Sequence, residues 1–285
     1  MDNHDIDRLE RGRLKYLEYI KKAREQKAKN TYKTKIVISG QFIEEYIYQN
    51  EITTGKKRVR KKKRKNKPQE EQTEMRSGAL RRTRMNIMRL VNSNPDFITF
   101  LTLTFDENKV TNKKEITEFE KCNYWFMTFM QRLKYNFPNI KYLAVPEFQG
   151  DYYFRTNIKK EFGGAIHYHL LLNQKVDTKK IEKIWRHGFV KINKIKSINN
   201  VGLYVSKYLR KESFNKKYFG KKKFFYSRNL NRPKEFKGSD GEEVMANYSP
   251  PPEKVYEKEF KNKYRGEVAV NIYQLPSSNL IIWPT

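Results

Sequence analysis

Strand-like and helix-like segments follow one another in the middle of the chain in the order βαββαβ. The strand-like segments are rich in β-branched and aromatic residues and cover 96–105, 140–148, 164–172 and 188–195. The helix-like segments, 115–137 and 177–186, carry apolar residues at helical spacing. This order predicts an α+β, ferredoxin-like fold with an antiparallel sheet whose first and third strands are central. A further helix is expected over about 199–212.

The chain carries far more positive than negative charge. Its 285 residues include 61 Lys and Arg against 32 Asp and Glu, which gives a formal net charge of +29. So much like charge opposes a compact state unless a polyanion neutralises it, and we therefore expect nucleic acid as the partner. An anionic membrane surface is the alternative, but the sequence has no amphipathic helix with a large apolar face.

Several classes of protein are excluded by what the sequence lacks. No apolar run approaches the roughly 20 residues that span a bilayer, and the first ten residues contain no signal-peptide core. Cys122 is the single cysteine, which excludes an internal disulfide framework and a multi-cysteine zinc site. We therefore expect a cytoplasmic protein of a bacterial host, with no membrane partner.

The sequence predicts three segments. Residues 1–77 form a basic N-terminal extension, with a charged helix, a short strand element over 35–50 and a run of ten basic residues in positions 56–67. Such a run cannot pack, so we expect it to be disordered without a partner. Residues 78–212 form the core, and residues 213–285 form a basic and aromatic C-terminal extension that binds DNA.

Candidate DNA-binding residues come from three places. They are Lys61, Lys62 and Lys63 of the basic run, Arg81, Arg82 and Arg84 of a helix expected over 77–92, and Lys222, Phe225, Tyr226 and Arg228 of the C-terminal extension. In the last group, rings would stack on bases while cations meet phosphates. A solvated linker is the alternative for the basic run, and a hairpin packed on the core is the alternative for the last group.

Two of the four histidines stand two residues apart on the third predicted strand. His167 and His169 therefore project from one face of the sheet. Glu147, near the end of the second strand, can lie beside them, because these two strands are expected to pair antiparallel. Two imidazoles and a carboxylate suit Mg²⁺ or Mn²⁺ acting as a Lewis acid on a phosphodiester. The alternative is a pair of histidines hydrogen-bonded to neighbouring side chains without a metal.

Two tyrosines lie one helical turn apart after the fourth predicted strand. Tyr204 and Tyr208 share one face of the expected helix, with Lys207 and Lys211 on the adjacent stripe. A tyrosine hydroxyl can act as a covalent nucleophile when nearby cations favour the phenolate. Taken alone, this spacing also fits tyrosines that only pack against the core.

Three segments in this order resemble the motifs of HUH endonucleases. They are F-L-T-L-T-F (100–105), A-I-H-Y-H-L-L-L (165–172) and Y-V-S-K-Y-L-R-K (204–211). More narrowly, they resemble rolling-circle replication initiators of small phages and plasmids, and the tyrosine spacing is similar to that of the gene A proteins of small isometric phages. W-R-H-G-F-V (185–190) and F-Y-S-R-N-L-N-R-P (225–233) also resemble this group, so that the resemblance covers about 78–235.

The resemblance implies a role for each motif residue. His167, His169 and Glu147 would bind the metal, and Tyr204 or Tyr208 would attack the scissile phosphate. The products would be a 5′-phosphotyrosine and a free 3′-OH that primes synthesis. Lys207 and Lys211 would assist at the phosphate, and Thr102 and Thr104 of the first motif would face the site.

The implied partners are single-stranded or supercoiled origin DNA and the host DNA polymerase. No Walker loop is present, so duplex unwinding would come from a host helicase or from supercoiling. The protein would act as a monomer or a transient dimer.

Two other functions remain open at this stage. A βαββαβ sheet also serves as a non-enzymatic single-strand-binding module, although the first and third strands lack an RNP-like G-F-x-F pattern. A relaxase or a transposase of the HUH class is the other alternative. Relaxases usually carry the nucleophile before H-x-H, whereas here the tyrosines follow it.

Overall fold

The computed structural model describes residues 31–53, 69–152, 156–195, 201–206, 220–248 and 251–275. It contains both helices and antiparallel sheets, which confirms the α+β class. Contacts divide the chain into two compact units, one of residues 65–232 and one that combines 1–64 with 233–285. This division differs from the expected core with two separate extensions, because the two ends of the chain supply one common unit.

The strands, in chain order, are β1 (Thr31–Ser39), β2 (Phe42–Thr53), β3 (Thr99–Phe105), β4 (Tyr142–Phe148), β5 (Ile166–Leu172), β6 (Gly188–Lys194), β7 (Phe225–Tyr226), β8 (Lys234–Lys237), β9 (Glu253–Asn262) and β10 (Gly266–Gln274). The α-helices are α1 (Gln69–Asn92), α2 (Phe119–Asn136), α3 (Thr178–Trp185), α4 (Val201–Ser206) and α5 (Ser239–Ala246). Two short 3-10 helices, Glu107–Lys109 and Lys113–Thr117, precede α2.

The unit of residues 65–232 is built on a five-stranded antiparallel sheet. Its strand order is β6-β3-β5-β4-β7. The first and third strands of the predicted βαββαβ segment, β3 and β5, are central, which confirms the sequence-based topology. The short β7 adds a strand beside β4 that the sequence did not predict.

The alternation along β5 decides which side of this sheet forms the larger core. Ile166, Tyr168, Leu170 and Leu172 are all fully buried in a core with residues of α2 and α3. Helix α3 begins where expected, because the Asp177 carboxylate accepts the Lys180 backbone N–H at 2.9 Å. The histidines of β5 consequently lie on the opposite face.

A second, smaller core covers part of the face that carries the histidines. Phe100, Leu143 and Leu171 from the sheet pack there with residues of α1 and α4. A side-chain Cβ at Gly202 would lie 2.8 Å from the Met88 Cα, so α4 approaches α1 closely only because position 202 is glycine. This packing brings α4, and Tyr204 with it, next to the histidine-bearing face.

The other unit contains a second five-stranded antiparallel sheet with the order β8-β1-β2-β10-β9. Helix α5 packs on it, and Ile36, Ile43 and Val244 belong to the shared core. The hairpin of β1 and β2 corresponds to the short strand element expected near residue 40. The hairpin of β9 and β10 was not predicted, because its strands carry charged residues on both faces.

Among the described residues, no helix is both long and apolar enough to cross a membrane. The basic run of residues 56–67 lies outside the described part of the chain, so its expected disorder stays a prediction.

Candidate active site

The predicted histidine pair lies at the centre of the sheet, in a regular register with its neighbours. His169 stands opposite Thr102 of β3 and opposite Val145 of β4. His167 stands opposite Glu147 of β4. Residues paired across strands project from the same face, so the three predicted metal ligands share one side of the sheet.

Both ring nitrogens of His169 have partners. Nε2 lies 2.8 Å from Oε2 of Glu147, and Nδ1 lies 3.1 Å from the hydroxyl oxygen of Thr102. A carboxylate can only accept, so Nε2 carries the proton that it donates to Glu147. The Thr102 hydroxyl then donates to Nδ1, and the two neighbours together assign the tautomer of the ring.

The pair of His169 and Glu147 is almost completely withdrawn from solvent. Their side chains are 5% and 8% exposed. A buried carboxylate is costly unless it is hydrogen-bonded, and this interaction supplies such a partner. The sheet therefore holds a polar group in a position where the surrounding side chains, Val145 and Phe100, are apolar.

The second histidine has a different environment. Nδ1 of His167 lies 3.4 Å from Nε2 of Gln149, and the Lys160 ammonium donates to Oε1 of Gln149 at 3.5 Å. Burial lowers the pKa of His167 to about 4, the Glu147 charge opposes this, and His169 and Lys160 add to it. His167 is therefore neutral near pH 7, which is the form in which imidazole binds a metal.

The hairpin between β4 and β5 brings Gln149 and Lys160 to the site. Gly164 has no room for a side chain, since a Cβ there would overlap with the carbonyl oxygen of Gln149. The Gly164 N–H donates to the Asp151 carboxylate at 2.9 Å, and the Gln149 N–H donates to the Ala165 carbonyl at 3.2 Å. The predicted bend at Gly163-Gly164 is confirmed, but no sequence pattern pointed to Gln149 or Lys160.

An aromatic ring connects Tyr204 with the histidines. The Phe100 ring is stacked on the His169 ring, with centroids 5.7 Å apart and an interplanar angle of 11°. The Tyr204 ring meets the Phe100 ring edge-on, with centroids 5.5 Å apart. Tyr204 is thus one ring away from the histidine–glutamate pair, while Tyr208, Lys207 and Lys211 lie outside the described residues.

Of the two threonines expected at the site, one has a recorded contact there. Thr102 bonds His169, as described above. Thr104 lies on the same face, one pleat further along β3, and its carbonyl oxygen accepts from the indole N–H of Trp185 at 3.1 Å.

The donor set fits a divalent cation in type, though not in its present spacing. Two imidazole nitrogens and a carboxylate oxygen are ligands that Mn²⁺ and Mg²⁺ accept. Within the described part of the chain, however, no three His, Cys, Asp or Glu side chains are arranged closely enough to hold an ion. The reason at this site is local, because Glu147 bonds Nε2 of His169 directly.

The predicted DNA-binding residues fall into different environments. Arg81, Arg82, Lys222 and Arg228 are exposed, Arg84 is partly buried, and Lys61, Lys62 and Lys63 lie outside the described residues. Tyr226 is partly buried, stacks on Phe224 at 5.6 Å and has the Arg232 guanidinium above its ring.

The prediction for Phe225 is wrong. Its side chain is 6% exposed and packs 5.3 Å from the Phe126 ring in the larger core. The physical reason is that β7 pairs with β4, which turns every second residue of this segment inward. For this residue the alternative of a hairpin packed on the core is correct.

Residues 98–213 match the model of a family of replication-associated proteins, the ORF2 family. No curated protein and no solved structure shows a significant match to the chain. The matched segment runs from β3 to beyond α4 and contains His167, His169, Glu147 and Tyr204. The match supports a replication-associated protein, and a role in DNA replication, for the unit that carries this site.

Proposed function

We propose that this chain is a rolling-circle replication initiator that nicks and rejoins single-stranded origin DNA. The observation that carries the proposal is the buried pair of His169 and Glu147, joined through the Phe100 ring to Tyr204. A polar pair in the centre of a sheet, one ring away from a tyrosine, combines the groups that phosphodiester transfer to tyrosine needs. The family match supports the same function at a coarser level.

Three residues would hold the divalent cation: His167, His169 and Glu147. Bound there, Mg²⁺ or Mn²⁺ would supply Lewis-acid activation of the scissile phosphate. Its binding requires Glu147 to give up its direct hydrogen bond with Nε2 of His169. The Nδ1 proton would then point to Thr102, whose hydroxyl oxygen can accept as well as donate.

The tyrosine carries the covalent step. The phenolic oxygen of Tyr204 or Tyr208 attacks phosphorus, and the bond from phosphorus to the 3′-oxygen breaks. The tyrosine proton leaves to water, and the departing 3′-oxygen takes up a proton to become a 3′-OH. Joining is the reverse reaction, in which a 3′-OH attacks the phosphotyrosine and releases the tyrosine.

Two tyrosines allow cleavage and joining to alternate without release of the DNA. One would hold the 5′ end of the first cut while the other makes the next cut. Lys207 and Lys211, which follow Tyr204 in the sequence, would neutralise the phosphate and favour the phenolate form. A non-enzymatic single-strand binder would need none of these groups, and this difference makes the alternative testable.

The test is a covalent-adduct assay on single-stranded and supercoiled DNA that contains the origin of a candidate element. Wild type should form a protein–DNA adduct with Mn²⁺ and none with EDTA. Replacing both tyrosines (Tyr204→Phe with Tyr208→Phe) should abolish the adduct, and the single variants should assign the first nucleophile. His169→Ala should abolish it as well.

Tyr135→Phe is the matched control. Tyr135 is 88% exposed on α2, which packs on the other face of the sheet, so its variant should form adduct at the wild-type rate. Tight binding of origin DNA with no adduct from wild type would instead identify a binding module. An adduct that survives loss of both tyrosines would exclude them as nucleophiles.

A further inference from the structure

The histidine-bearing face of the sheet continues onto the edge strand β6. Lys191 stands opposite Thr102, the residue whose hydroxyl bonds His169. Phe189 stands opposite Thr104, and Asn193 stands opposite Phe100. All three β6 residues therefore lie on the side of the sheet that carries the candidate site, about 10 Å from the strand of the histidines.

This strip of β6 is open to solvent, unlike the centre of the same face. Phe189 is 64% exposed, and Lys191 and Asn193 are also exposed. Phe100, Leu143 and Leu171, on the neighbouring strands, are buried beneath α1 and α4. The face thus changes from a covered apolar core to an accessible surface at the row that contains the candidate site.

Phe189 departs from the pattern of its own strand. Val190 and Ile192 point to the larger core, as the apolar residues of an edge strand should. The solvent side carries Phe, Lys and Asn in alternate positions, so an aromatic ring stands where the pattern calls for a polar residue. A single exposed ring needs no explanation by itself, but this one lies beside a cation and in line with the histidines.

We propose that Phe189 and Lys191 seat the unpaired nucleotides next to the bond that is cut, with a base stacked on Phe189. The Lys191 ammonium would meet the adjoining phosphate. An exposed ring on a sheet can stack only with a base that is not already paired inside a duplex, so this surface selects single strands. The inference rests on the proposed function for the identity of the nucleic acid.

Two features make single-stranded DNA the occupant. The ring and the lysine are neighbours on one strand face, which is the combination that a nucleotide requires, since it has one stacking group and one negative charge. The strip is also continuous, through Thr102, with the histidine–glutamate pair. A strand that follows β6 therefore passes within reach of the candidate site.

The first test measures binding in EDTA, so that it does not depend on cleavage. A fluorescent mixed-sequence single strand and its duplex are titrated with each variant. Phe189→Ala should weaken single-strand binding about tenfold and leave duplex binding unchanged within about twofold, while Phe189→Tyr should bind like wild type. Lys191→Ala should reduce the slope of log affinity against log salt by about 0.7.

Matched controls separate stacking and charge from general effects. Tyr124→Ala removes a ring that is 67% exposed on α2, on the other side of the sheet. Lys194→Ala removes an exposed lysine from the same strand but from the opposite face. Neither should alter single-strand affinity beyond about twofold, nor, for Lys194→Ala, the salt slope beyond that of one screened surface charge.

The second test reads stacking directly. 2-Aminopurine placed at successive positions of the single strand should be quenched at one position by wild type and by Phe189→Tyr, and should regain its fluorescence with Phe189→Ala. Unchanged affinity and unchanged quenching in Phe189→Ala would overturn the proposal, even if wild type forms the covalent adduct. Normal stacking at Phe189 without any adduct would keep this surface and overturn the proposed nuclease instead.

Discussion

Nε2 of His169 lies 2.8 Å from Oε2 of Glu147, between neighbouring strands and with both side chains almost fully buried. This hydrogen bond joins two of the three residues that the sequence assigned to a metal. It also means that the site has two states open to it, one in which the pair is joined directly and one in which a cation lies between the partners.

We expect the two side chains to be strongly coupled in the absence of metal. Removing either one leaves a buried polar group without its partner, so a double-mutant cycle of Glu147→Ala and His169→Ala in EDTA should give about 1.5–3 kcal/mol. Urea unfolding of the four proteins measures this coupling. In wild type alone, Mn²⁺ should raise the midpoint of thermal unfolding. A coupling below about 0.5 kcal/mol would contradict a stabilising role for the pair.

Gly164 should be intolerant of any side chain. Gly164→Ala forces the Cβ into the carbonyl group of Gln149, and we expect a loss of about 3 kcal/mol in the free energy of unfolding. Urea unfolding of the variant beside wild type measures this loss. Because Gln149 contacts His167, the stabilisation by Mn²⁺ should shrink too.

Gly78→Ala is the control for that substitution. Gly78 lies within α1, where a new Cβ would make an ordinary contact with Arg82, 3.6 Å away. It should stabilise the protein by up to about 1 kcal/mol, because alanine favours a helix. If the two glycine variants unfolded at the same temperature, the close approach of Gly164 to Gln149 would be wrong.

His187 should make the stability of the protein fall in acid. Burial, with the charges of Arg132 and Arg186, lowers the pKa of His187, whose ring stacks on Trp125. The folded state therefore favours the neutral ring, and this contribution is complete above the unfolded pKa of about 6.5 and is lost as the pH falls below it.

The variant His187→Phe keeps a ring on Trp125 but removes the titrating group. Its midpoint of thermal unfolding should therefore fall less than that of wild type between pH 7 and pH 5. Other groups titrate equally in both proteins, so the difference between them isolates His187. Parallel curves would show that the ring does not resist protonation.

The N-terminal hairpin should depend on the C-terminal strands. β1 pairs with β8, and β2 pairs with β10, so a chain that ends at residue 232 leaves β1 and β2 as a lone hairpin. Such hairpins are marginal in water. Limited proteolysis of this shortened chain should cut within 31–53 and spare 65–232, and adding residues 233–285 as a separate peptide should restore protection. Equal resistance without the peptide would argue against a shared sheet.

The core topology was predictable because it depends on local patterns. Period-two alternation identified the strands, and the order of strands and helices indicated β3 and β5 as central. Asp177 indicated the start of α3 for an equally local reason, since an aspartate satisfies the free N–H groups of a first helical turn. The sheet of the other unit was not predictable, because its strands come from regions about 200 residues apart in sequence.

The sequence by itself determined that His167 and His169 share a face of β5, because alternate residues of any strand point the same way. It also determined that a carboxylate, Glu147, would be near them. Only the tertiary structure decided that Glu147 bonds His169, that Gln149 and Lys160 stand beside His167, and that Phe225 is buried while Phe189 is not. Those outcomes depend on which strands become neighbours and which helices cover them, and such long-range packing is not encoded in any short stretch of sequence.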